Sequence, residues 1–87
     1  MSESIFIEGM DKEDPVKLSI LNRMASLMIK DISQKGSVEK LEITKEKSKI
    51  RMCLIFNDEH NESEGEDKNV FFAFGKAHQQ MLRKIGL

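Results

Sequence analysis

The sequence predicts a small two-layer α+β domain, an antiparallel sheet of two to four strands covered on one face by two helices in the order (β)-α-β-β-(β)-α. Three observations carry this expectation. One helical period runs over 15–34 between strong start and stop signals. Two alternating segments with a charged connection follow it, and the C-terminal stretch returns to a helical period.

"SIFIEG", residues 4–9, sets three apolar β-formers before a glycine and suits a short edge strand or an ordered arm. In "DPVKLSILNRMASLMIKDISQKG", Asp14 can cap a helix, Pro15 fits its first position, and Gly36 suits a left-handed stop. "SVEKLEITKEKSKIRMCLIFND" reads as a hairpin with strands over 38–44 and 49–56 joined by "KEKSK". In its first strand Leu41 and Ile43 share a face with Glu39, while Val38, Lys40, Glu42 and Thr44 share a wet one. Ile50, Met52, Leu54 and Phe56 make a continuous apolar face on the second, which marks it as the central strand. "KNVFFAFGKAHQQMLRKIGL" admits two readings. One is an amphipathic helix from Val70 to Ile85, capped by Asn69 or Asp67, with His78 on its apolar side. The other is a strand to Phe74 and a shorter helix from Lys76, since Gly75 within a helix costs about 1 kcal/mol relative to alanine.

Eighty-seven residues with 39% hydrophobic content make a single domain over 1–87, and a chain of this size buries only roughly 60 to 65% of its unfolded surface. Oligomerisation is therefore a natural source of extra burial, because the one cysteine, Cys53, cannot close an internal disulfide. Fourteen basic against fifteen acidic residues give a formal net charge of -1. A nucleic-acid binder ordinarily carries a basic excess, so nucleic acid ranks below a protein partner. The first residues lack a basic leader, and the longest apolar run, 52–56, is too short for a signal core or a membrane span. A soluble, cytoplasmic protein without membrane contact is expected.

"NDEHNESEGED" raises the main chemical question, and an acidic loop over about 57–68 is the expected structure. As a calcium loop it fails: with Gly65 at the sixth position, the twelfth, which needs a bidentate glutamate, is Phe71. Dense like charge without apolar residues ordinarily marks a solvated connection. Its functional reading is a decoy, with Asp58, Glu59, Glu62, Glu64 and Glu66 set against a basic groove of a nucleic-acid-binding protein. Catalysis is not expected. Cys53 reads as a small hydrophobe in a strand, His78 as a partly buried neutral ring, and His60 lies in the acidic stretch, so no nucleophile and base are paired. These three also lack the short spacings of a zinc site, and the glycines stand isolated, so neither metal nor cofactor is expected.

The first helix carries the stronger signal. Its apolar residues, from Val16 to Ile32, sweep roughly 220°, whereas packing on one sheet needs little more than about 100°. The second helix can cover part of the excess; the rest, sampled by Ile20, Met24 and Leu27, suits a homodimer seam or a partner's helix. Arg23 and Lys30 on this helix, with Lys76, Arg83 and Lys84 on the last, form two basic strips that offer an alternative nucleic-acid site.

The order of elements resembles the small α+β architecture of double-stranded RNA-binding domains and of ribosome-hibernation factors. In the second group the resemblance extends to "AFGKAHQQMLRKI", which stands where those proteins carry an alanine-containing final helix. They have a further strand where this chain has its acidic stretch. The resemblance implies a fold and carries no functional residue across. The function expected is thus a non-enzymatic interaction module, a regulator or inhibitor of the compact kind that phages encode, acting on a macromolecular partner as a homodimer. An RNA-binding or ribosome-associated module on the basic helix faces is the alternative.

Overall fold

The alternation over 38–56 closes into the expected hairpin, with its first strand longer, its second as expected over 49–56, and its turn tighter than anticipated. The computed structural model describes residues 4–10 and 13–87. In chain order the elements are β1 (Ser4–Glu8), α1 (Pro15–Ser33), β2 (Val38–Glu46), β3 (Lys49–Phe56), β4 (Glu59–Glu66) and α2 (Val70–Lys84). The sheet runs β1-β2-β3-β4, with β2, β3 and β4 antiparallel. The edge strand β1 is parallel to β2, because α1 carries the chain back to the same end of the sheet before β2 begins. Both helices cover one face.

Asp14 accepts from the Val16 amide at 2.8 Å, Pro15 occupies the first turn, and α1 starts as expected. Its end differs. Gly36 is not in the left-handed region; it is small because a Cβ there would lie 2.6 Å from the Phe56 ring and 2.7 Å from the Asn57 side chain. A bulge between Val38 and Lys40 breaks the alternation of β2, so Val38 packs on the core side instead of joining Lys40 on the wet face. The β2–β3 connection is only Lys47 and Ser48, with Lys47 at φ 59°.

The largest correction concerns 57–68, expected as an acidic loop. Asn57 and Asp58 form a two-residue turn with φ of 52° and 66°, both left-handed, which suits a tight hairpin. The chain then returns as β4, a strand where an acidic loop was expected. Here His60, Glu62, Glu64 and Glu66 face solvent, while Ser63 and Gly65 are buried. The strand forms without an apolar side chain because β3 supplies its ladder and small inward residues let α2 lie directly on it. A Cβ on Gly65 would sit 2.6 Å from the Ala77 amide nitrogen, and the Ser63 hydroxyl donates to the Ala77 carbonyl at 2.8 Å.

Residues 70–74 belong to the helix, which settles the alternative of a strand to Phe74. Asn69 caps α2 by accepting from the Phe71 and Phe72 amides. Val70, Ala73, Phe74, Ala77 and Met81 point to the core, where they meet Leu21, Met28 and Ile32 of α1 and the inner residues of β2 and β3. No side chain or backbone from another element lies within 4 Å of a Cβ built on Gly75. Gly75→Ala is expected to stabilise the fold by roughly 0.5 to 1 kcal/mol, read from urea unfolding midpoints at unchanged slope. Among the described residues, no helix is long and apolar enough to cross a membrane.

Candidate functional site

The wide apolar arc of α1 divides into two faces. Leu21, Ala25, Met28, Ile29 and Ile32 are buried against the sheet, and Met24 is packed at their margin. On the far side Val16, Ile20 and Leu27 remain 65%, 43% and 55% exposed. At 100° per residue these three fall within roughly 40° of arc, on the side turned away from the core. Of the three apolar residues singled out on this helix, Ile20 and Leu27 therefore lie on a free surface. Met24 mainly serves the core.

The acidic residues occupy another surface, the face of the sheet that no helix covers. Along β4, Glu62, Glu64 and Glu66 stand on this face at the two-residue strand repeat of about 6.8 Å. Asp58 stands in the hairpin turn, while Glu59, the exposed first residue of β4, falls by the same alternation on the side of Asn61 and Ser63 and not on this face. Glu42 of β2 joins this group through Cys53, its register partner on β3, which in turn pairs with Glu62. Part of the charge is already answered: Glu64 contacts Lys49 at 3.4 Å and Arg51 at 3.8 Å. Exposed pairs of this kind contribute little and leave the carboxylates available to a stronger partner.

The hairpin also brings together two residues whose spacing suggested no contact, Cys53 Sγ and His60 Nδ1 at 4.0 Å. Burial and the neighbouring Glu42 and Glu62 carboxylates push the Cys53 thiol above its ordinary range, so the histidine faces a protonated sulfur instead of a thiolate. Among the described residues, no three His, Cys, Asp or Glu side chains converge as a metal site would require.

His78 lies half-buried on α2 with its ring edge-on to Phe74 at 6.2 Å. Burial lowers its pKa below the ordinary value of 6.5, and the Asp31 carboxylate on α1 opposes that shift only in part. Above about pH 6.5 the imidazole is neutral in both folded and unfolded chains. As pH falls the unfolded chain takes up the proton first, and stability declines until the folded pKa is passed. Urea unfolding between about pH 7 and pH 5 should show this decline, and His78→Leu should flatten it.

The five basic residues proposed for nucleic acid lie on both helices and differ in what they touch. Arg23 and Lys30 flank the exposed stripe of α1. Lys76 is engaged by the Asp67 carboxylate at 3.1 Å and the Glu66 carbonyl at 3.0 Å. Arg83 lies on the outer side of α2 with Phe72, which is 63% exposed. Lys84 borders a shallow cleft with Glu62 and Glu64. A different basic group, absent from the sequence reading, forms where the β2–β3 turn meets the starts of both helices: Lys17, Lys45, Lys47 and Lys68 line one cleft. These lysines are far apart in the chain, and only the fold brings them to one end. No protein-family model, curated protein or solved structure matches the chain.

Proposed function

We propose that the protein is a non-enzymatic interaction module that pairs with a second copy of itself through α1 and presents the acidic face of β4 to a basic macromolecular surface, as a regulator or inhibitor. The observation that carries this is the stripe of Val16, Ile20 and Leu27, exposed on a helix whose opposite face is already buried in the core. The stripe suits a two-fold seam. Ile20 and Leu27 are seven residues apart, nearly two whole turns, so an axis passing between them lays each Ile20 against the partner copy's Leu27. Arg23 and Lys30 remain in water on one flank.

The helices and the open sheet face lie on opposite sides of the domain, so pairing through α1 leaves β4 free. Its carboxylate row would then confront lysines and arginines of a nucleic-acid-binding protein, where complementary potential speeds encounter and fixes register. The RNA reading rests on weaker support, because Lys76 is paired with Asp67 and Lys84 lines a cleft together with Glu62 and Glu64. Sedimentation equilibrium tests the proposal. The expected mass is twice the 10.0 kDa of one chain, falling to one chain when Ile20 and Leu27 become glutamate. A parent chain that stays monomeric at the highest attainable concentration would end it.

A further inference from the structure

We infer that the cleft between the β2–β3 turn and the two helix starts binds a nucleoside polyphosphate, with lysines on the phosphates and an apolar floor beneath the base. The cleft measures about 620 Å³, well within the size of small-ligand sites. Its lining carries four cations from three places: Lys17 on α1, Lys45 and Lys47 at the β2–β3 hairpin, and Lys68 before α2. Glu13 and Asp67 also line it, but each has a partner. Glu13 contacts Lys45 at 3.2 Å, and Asp67 accepts from Lys76 and from the Asn69 amide. The Asn69 amide, and after it Lys76, hold Asp67 below the usual carboxylate pKa and keep it committed.

Lys17, Lys47 and Lys68 have no carboxylate within salt-bridge distance among the described residues. Three like charges held around one concavity, in a chain whose net charge is -1, call for an anion with several charges of its own. A single carboxylate would answer only one of them, whereas a polyphosphate spreads its charge over oxygens that can meet all three. The lining is also apolar in part, with Phe71 partly exposed and Ile50, Val70 and Ala73 buried behind it. That floor suits a flat ring better than a bare inorganic chain of phosphates.

Titration of isotope-labelled protein with ATP or GTP, no metal added, tests this by amide shifts. Saturable shifts are expected at Lys17, Lys47, Lys68, Val70 and Phe71. Replacing Lys17, Lys47 and Lys68 together by glutamine should weaken binding about tenfold or more, and each single replacement by a smaller factor. Arg23→Gln with Lys30→Gln removes two charges elsewhere and should change affinity by less than about twofold, which separates a site from general attraction. The singles keep the test open should the triple variant fail to fold. Tripolyphosphate binding as tightly as ATP would overturn the inference by leaving the floor without a role. So would affinity indifferent to the three lysines, or an RNA oligonucleotide that binds tighter than the nucleotide and shifts Lys76 and Arg83. The outcome is independent of the α1 seam, because Ile20 and Leu27 do not line this cleft.

Discussion

Replacing Gly65 by alanine is expected to destabilise the protein by about 2 to 3 kcal/mol, an unusually large effect for one methyl group. In most strands a glycine is a weak point that alanine repairs. Here α2 lies directly on β4, and the new Cβ would sit 2.6 Å from the Ala77 nitrogen and 2.7 Å from the Lys76 Cβ, with the Ala73 carbonyl nearer still. Two of these are backbone atoms in the middle of a helix, so no rotamer change relieves the collision. The helix must lift, which stretches the Ser63–Ala77 hydrogen bond at 2.8 Å and the bond from the Glu64 amide to Gln80 at 3.0 Å. It also opens space around Ala73 and Ala77, both buried. For a domain of this size the loss corresponds to a drop in Tm of roughly 10 to 20 °C. Gly75→Ala on α2, where the added methyl meets open space, should move stability the other way. A Gly65→Ala chain within about 0.5 kcal/mol of the parent would mean that α2 does not approach β4 this closely.

The same contact explains why β4 was hard to read in advance. A strand is ordinarily recognised by branched and aromatic residues at alternate positions, and "EHNESEGE" has none. Its alternation is one of charge against size: His60, Glu62, Glu64 and Glu66 outward, Asn61, Ser63 and Gly65 inward. The inward set is small because a helix replaces the usual layer of side chains. Strand β3 held the other clue: its continuous apolar face marked it as central, a central strand is paired along both edges, and the β2–β3 hairpin fills only one of them. Asn57-Asp58 is a weaker hairpin signal than Asn-Gly, and like charge along the segment outweighed it.

Elsewhere local chemistry and tertiary outcome agree. Asp14, Pro15 and Asn69 mark the helix starts because capping needs only neighbours in sequence. Gly36 and Val38 escaped the reading because their constraints come from elsewhere in the fold, from Phe56 and Asn57 in one case and from a bulge in the other. The candidate surfaces divide in the same way. A periodicity count exposes the surplus arc of α1, since it concerns one helix alone. Lys17, Lys47 and Lys68 carry no joint signal until four elements converge on one end of the sheet.

Glutamate at Ile20 and Leu27 together is expected to raise the dissociation constant of the paired form by roughly a thousandfold or more. Each substitution occurs twice in a two-fold seam. If burial of each partly exposed side chain contributes about 1 kcal/mol, the four sites together lose about 4 kcal/mol, and unpaired carboxylates in the seam add to the loss. The folded monomer should barely respond, because both residues project into water there and exposed substitutions usually change stability by less than about 0.5 kcal/mol. That asymmetry makes the experiment decisive: association lost while urea stability of the single chain is kept. Phe72→Glu is the matching control, since Phe72 is as exposed as the stripe residues but stands on α2 away from them. A chain whose association falls equally with Phe72→Glu would be adhering through any exposed apolar residue. Association that survives the double substitution would place the seam on another surface. The open sheet face is the next place to look, where Phe6 stands 49% exposed on β1 with the Lys40 amino group 5.3 Å from its ring.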